Sequence, residues 1–155
     1  MREILFRGKR TDDNEWRQGD LVQGISKQKG LMFIWSEDEY DLTGIFESNV
    51  IPETVGQYSG WKDKKGQKMF EGDIVDLEGR GYIPTLERGV VIFKDGCFGI
   101  EYQTAVARKF GWGKTFHRIG TIGEWRDMGA SGTITYTYEV IGNIYDNPEL
   151  LERKP

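Results

Sequence analysis

The chain offers very little conventional catalytic chemistry, because His117 is its only histidine and Cys97 its only cysteine. A thiol–imidazole nucleophile pair could be built from those two. Cys97, however, directly follows the dipeptide Asp95-Gly96, where a small half-buried residue beside a tight turn is the plainer reading. A zinc site made from one histidine and one cysteine would need two carboxylates as well. His117 follows Phe116 in a strand-like run and reads as a strand-face residue.

Gly113-Lys114-Thr115 has the ending of a phosphate-binding loop. The motif requires a glycine five residues before Gly113, and Arg108 stands there; a preceding strand and a following long helix are also missing. No Gly-X-Ser-X-Gly nucleophile elbow occurs. Glu37, Asp38, Glu39 and Asp41 could supply oxygen ligands to a divalent cation, but their spacing is not that of a calcium loop, and a solvated acidic loop is the simpler account. Glu71 and Asp73 flank Gly72. Short acidic side chains beside a glycine hold turns by bonding nearby backbone amides, and that reading is preferred over a catalytic carboxylate pair.

One stretch is electrostatically distinct. From Tyr102 to Gly123 there is no acidic residue, and Arg108, Lys109, Lys114 and Arg118 alternate with Tyr102, Phe110, Trp112 and Phe116. Cations contact phosphates, and aromatic rings stack on unpaired bases. Arg108, Lys109, Trp112, Lys114 and Arg118 are therefore the candidate residues for binding an anion or nucleic acid. The competing account is equally physical: the rings fill the core and the cations form a solvated rim.

These residues must be positioned by short strands. Residues 2–7 read as a strand with Ile4 and Phe6 on one face, and 16–25 with 31–35 as a hairpin across the loop 26–30. Extended pieces follow at 49–52 and 54–58, then a charged turn at 61–68 and an alternating strand at 71–77. Asp95-Gly96 between the runs 88–94 and 97–102 predicts a type I′ hairpin, since both central residues need positive φ. Residues 104–109 fit either one helical turn or an edge strand. Strands are expected at 115–122 and 133–141, the latter alternating polar and apolar with period two. Asn147-Pro148-Glu149 predicts the start of a short C-terminal helix, the only clear one.

Composition agrees with that outline. Hydrophobic residues make up 37% and charged residues 30%, enough apolar content to build a core, and the 21 glycines are dispersed as in a chain of many tight turns. A net charge of −4 argues against bulk polyanion binding but leaves local patches open. A single cysteine fits a reducing compartment. The charged start Met1-Arg2-Glu3 does not read as a signal peptide, and no apolar run is long enough to cross a bilayer. The expectation is a cytoplasmic protein with no membrane association and no cofactor.

Three blocks carry a family resemblance. Met1 to Arg7 opens the chain. The run Thr54-Val55-Gly56-Gln57-Tyr58-Ser59-Gly60-Trp61-Lys62-Asp63-Lys64-Lys65-Gly66, with Met69-Phe70-Glu71-Gly72-Asp73-Ile74-Val75, stands at its centre. Tyr138-Glu139-Val140-Ile141-Gly142-Asn143-Ile144-Tyr145-Asp146-Asn147-Pro148-Glu149-Leu150-Leu151 closes it. In this order they resemble the YopX family, with small departures at Ser59 and Trp61; residues 79–131 match no block. The resemblance implies a bacteriophage or prophage protein in the host cytoplasm, with an SH3-like barrel, self-association and no transferable catalytic residue.

The reading taken forward is an all-β (mainly β) chain of short antiparallel strands. Residues 1–53 form an N-terminal β segment, and 54–155 an SH3-like barrel region with a short C-terminal helix, or the two form one compact unit. Its expected role is a non-enzymatic binding or regulatory module with an anionic partner at 108–118, either nucleic acid or a host or phage protein. The alternative is a homo-oligomeric structural protein, and an enzyme ranks last.

Overall fold

A computed structural model describes residues 3–23, 32–35, 49–80, 85–120, 123–127 and 130–152. The chain is mainly β and divides into two compact units, Met1–Gly60 and Trp61–Pro155. The acidic cluster Glu37, Asp38, Glu39 and Asp41 lies outside the described residues.

In the first unit, β1 (Phe6–Lys9) pairs antiparallel with β2 (Trp16–Gln23) and with β5 (Gly56–Lys62); β3 (Met32–Trp35) pairs with β2, and β4 (Asn49–Val50) with β3. The predicted hairpin is therefore present, with Asp20 opposite Trp35 and Gln23 opposite Met32. The first strand begins later than its pattern suggests. Ile4 is 61% exposed, whereas Arg7 is buried with its guanidinium 4.7 Å from the Trp16 ring centre. A cation over an aromatic face is stabilised by the ring quadrupole, which an apolar–polar pattern does not register. A 3₁₀ turn at Pro52–Thr54 follows β4, and the Thr54 hydroxyl accepts a hydrogen bond from the Lys9 amide at 2.9 Å.

In the second unit, β6 (Lys68–Phe70) leads into a sheet ordered β10-β9-β8-β7-β12-β11, with β7 at Asp73–Arg80, β8 at Thr85–Lys94, β9 at Cys97–Tyr102, β10 at Thr115–Arg118, β11 at Gly123–Asp127 and β12 at Ala130–Asn143. All described pairs are antiparallel, and they leave this sheet open rather than closed into a barrel. The β8–β9 hairpin is as expected: Lys94 faces Cys97, and Asp95 and Gly96 have φ of 51° and 79°. Met69, Val75, Leu77, Val91, Phe98, Ile100, Ile119 and Tyr138 form the core on the inner face, with Tyr102, Tyr136 and Val140 packed at its border. Strand β12 runs through a bulge between Val140 and Gly142.

The helix lies elsewhere than predicted. Asn147 to Leu151 makes only a 3₁₀ turn, Pro148–Leu151, and the Asn147 side chain does not cap it. Its Oδ1 instead accepts from the Asn143 amide at 3.4 Å, so it closes the preceding turn. Among the described residues the α-helix is α1, Ala105–Phe110. Thr104 caps its start by accepting from the Ala107 amide at 3.0 Å, and Gly111, at φ 69°, ends it in the left-handed conformation. This settles the ambiguous stretch in favour of a helical turn.

Candidate basic-aromatic surface

Helix α1 and strand β10 form one continuous segment that carries all five predicted site residues, and all five are exposed. Arg108 and Lys109 occupy the last turn of α1, where cations are favoured by the helix dipole. Arg108 acts electrostatically on Glu87, although burial outweighs it and raises that carboxyl. The left-handed Gly111 folds the chain back, so that Trp112 stacks on Phe110 with ring centres 5.4 Å apart and planes 26° from parallel. Both rings are 61% exposed, and Lys109 Nζ lies 5.6 Å from the Phe110 centroid. Gln103 Nε2 donates to the Trp112 carbonyl at 2.7 Å and so fixes the tip.

Strand register assigns the rest. Residues directly opposed in a ladder share a face. His117 opposes Ile100, a core residue, so it points inward with Thr115; Phe116 and Arg118 oppose Glu101 and Gly99 and point outward. The outward face of β8 and β9 adds Lys94, because Lys94 opposes Cys97, two residues from Gly99. A side chain at Gly99 would collide with the Phe116 ring, so the glycine lets that ring lie against β9. Lys94 Nζ stands 5.9 Å from the Phe116 centroid.

Glu101 receives both neighbouring lysines, with Lys114 Nζ at 3.0 Å and Lys94 Nζ at 3.7 Å. The hydrogen bond from Lys114 outweighs the opposing effect of burial and lowers its carboxyl below the usual range. The acid-free run is thus not free of acid in space: Glu101 reaches it from the adjacent strand. Glu101, Lys94 and Gly99 were not singled out in the sequence, although the Asp95-Gly96 turn, by setting the hairpin register, placed Lys94 and Glu101 on one face.

The rings of residues 102–116 divide between the two expected roles. Tyr102 packs at the core border and Phe116 is half-buried, while Phe110 and Trp112 stand in solvent.

The other candidate motifs resolve into structure. Gly113-Lys114-Thr115 leads into β10 rather than into a helix. The Cys97 thiol donates to the Lys94 carbonyl at 3.5 Å, and His117 Nε2 lies 3.1 Å from the Tyr138 hydroxyl, so the two are not brought together. Asp73 is buried and accepts from the Phe70 amide at 2.7 Å, which is the turn role expected of it. Among the described residues no group of three or more His, Cys, Asp and Glu could hold a metal ion, and no helix is long and apolar enough to cross a membrane. A groove of about 370 Å³ on the outer face of β7 and β12 is lined by Lys64, Asp76, Glu78, Thr137 and Glu139, among others. Its carboxylates are ion-paired, Asp76 with Arg88, Glu78 with Arg80, and Glu139 with Lys64 and Lys65. The hydrogen bonds from Lys64 and then Lys65 hold Glu139 down to about 2.

His117 yields a pH prediction. Its ring lies 4.1 Å from that of Tyr136 and beside Tyr138, and burial lowers its pKa below the ordinary 6.5. The folded state therefore disfavours the imidazolium, while the unfolded chain takes the proton at about 6.5. The stability that depends on the neutral ring is complete above that pH and is lost as pH falls below it. Between pH 7 and 5.5 the urea midpoint of the wild type should fall more than that of His117→Gln; parallel curves would remove this account.

The YopX protein family matches residues 5–152. The chain belongs to the YopX family. The match spans residues 79–131, which carry α1 and β10 and had shown no recognisable block. A solved structure is similar in fold: the crystal structure of protein EF1440 from Enterococcus faecalis aligns with TM-score 0.50 and 22% identity, over 97% of this chain and 99% of that one. No curated protein matches the chain. As a YopX member, the chain shows its central block as turn architecture. The Asp63 carboxylate accepts from the amides of Lys65 and Gln67 at 2.8 and 2.9 Å and from that of Val140 at 3.1 Å.

Proposed function

We propose that this YopX protein is a non-enzymatic binding or regulatory module of phage or prophage origin that engages an anionic partner, nucleic acid or protein, through α1 and β10. The observation that supports it is the solvent-exposed stack of Phe110 on Trp112, with Lys109 over the Phe110 ring and the exposed Arg108 and Lys114 within a few residues in the chain. Large rings in solvent contribute little to folding, and neighbouring cations favour a partner that brings negative charge. The reading requires no cofactor and places the protein in the host cytoplasm. An SH3-like relation of the C-terminal strands belongs to the same reading.

The test is binding to inorganic polyphosphate, duplex DNA and single-stranded DNA and RNA across a salt series. Affinity for at least one of these polyanions should fall linearly in log–log form as salt rises, and Arg108→Ala with Lys109→Ala should lower the slope by about one to two. Absence of binding to every polyanion at low salt would end the anionic reading. A second reading, self-assembly into a homo-oligomer, is favoured by β10 lying at a sheet edge beside the exposed Val106, Phe110 and Trp112. Light scattering separates the two, because a strict monomer at high concentration removes assembly.

A further inference from the structure

Resting on the anionic reading, we propose that the partner is a single-stranded nucleic acid whose bases stack on two platforms, the Phe110–Trp112 pair and the Phe116 ring, with phosphates held by Lys109, Lys114, Lys94 and Arg118.

Lys114, immediately before β10, and Phe116 and Arg118 on its outer face alternate cation, ring and cation. Lys114 is placed on this face by its bond to Glu101, Phe116 by its contact over Gly99, and Arg118 by its register opposite Gly99. Same-face neighbours on a strand are about 6.4–6.8 Å apart, so charge and flat π surface recur within the reach of one extended backbone. The Phe110–Trp112 pair precedes this row in the chain and ends in a ring 61% exposed. Stacking needs an open base face. A duplex hides its base faces, and an acidic protein surface does not repeat charge and flat ring at a fixed spacing, whereas an unpaired strand supplies a phosphate and a base at every nucleotide.

Glu101 gives the proposal a second and opposite handle. Its carboxylate already occupies Lys94 and Lys114, as a phosphate would. Glu101→Gln removes the competitor and should tighten binding several-fold, a change in the direction opposite to that caused by damage to the fold.

The experiment compares the full chain bound to a labelled single-stranded oligonucleotide, to the same backbone made abasic, to a duplex of equal length, to inorganic polyphosphate and to vesicles containing anionic lipid. The intact single strand should bind about tenfold or more tightly than the abasic strand and polyphosphate, and Trp112→Ala should cost about tenfold on the intact strand alone. Glu101→Gln should strengthen binding and steepen its salt dependence. Equal affinity for intact and abasic strands, or an unchanged affinity in Trp112→Ala, overturns the base-stacking inference and leaves the anionic reading standing. Binding to vesicles but to no oligonucleotide overturns it in favour of a lipid surface. No binding to any polyanion or vesicle removes both.

Discussion

Asp63→Ala should unfold the C-terminal unit at a much lower urea concentration than the wild type, with a loss of about 3–5 kcal/mol. Asp63 is only 7% exposed, and its two carboxylate oxygens accept three backbone hydrogen bonds. Two close the turn that joins β5 to β6. The third, from Val140, crosses 77 residues of sequence to the strand β12. Truncation leaves three amides short of an acceptor at a site with little water, and each charge-assisted bond contributes about 1.5–3 kcal/mol. Asp63→Asn retains one acceptor oxygen and presents an amide donor to the Val140 or turn amides, so it should recover part of the loss and no more. Equilibrium unfolding of the three proteins decides the matter; an Asp63→Ala midpoint within error of the wild type would show that the turn is held by other means.

Gly89→Ala is expected to be nearly as damaging, at about 2–3 kcal/mol, for the opposite reason. Nothing is removed; one methyl group is added where there is no room. A side-chain carbon at Gly89 would lie 2.5 Å from the Glu101 carbonyl oxygen, 2.7 Å from Ile100 Cγ2 and 2.8 Å from Tyr102 Cβ. The first of these is backbone of the paired strand β9, which cannot rotate away as a side chain can. The strands must separate locally, next to the fully buried Ile100 and Val91. Thermal unfolding measures the effect, and the exposed turn position Gly113→Ala, which meets no atom within 4 Å, is the control that should change little.

Much of this architecture is written in local chemistry and could be read from it. The β8–β9 turn was legible because Asp95-Gly96 satisfies a dihedral requirement that few dipeptides meet. The turn role of Asp73 was legible because a short acid beside a glycine bonds nearby amides. The exposed cations of α1 and β10 were visible as a run without acids. What was not legible depends on partners distant in sequence. Glu101 neutralises part of that run from another strand, and no property of residues 102–123 announces it. Burial of Arg7 depends on Trp16 across a strand pair. Asn147 has every local mark of a helix cap, yet its side chain is already engaged with the Asn143 amide, so the expected helix shrinks to one 3₁₀ turn. Whether the rings of 102–116 were core or surface could not be decided from composition, because the answer differs from ring to ring: the register sends Tyr102 inward and Phe116 outward, and a left-handed glycine turns Trp112 onto Phe110.

The bulge in β12 has a consequence for how the closing block of the chain encodes its fold. Before it, even-numbered residues Tyr136, Tyr138 and Val140 face the core; after it, Gly142 opposes Ile74, and even numbers have changed sides. The strand therefore contains a parity inversion, with Ile141 as the unmatched residue. The two segments it joins follow opposite rules of alternation, and substitutions on either side are constrained by different faces. A length change within Thr135 to Val140 would exchange the ion-paired outer row for the aromatic inner one, whereas a length change at Ile141 would act on the one position where the ladder already tolerates a residue out of step.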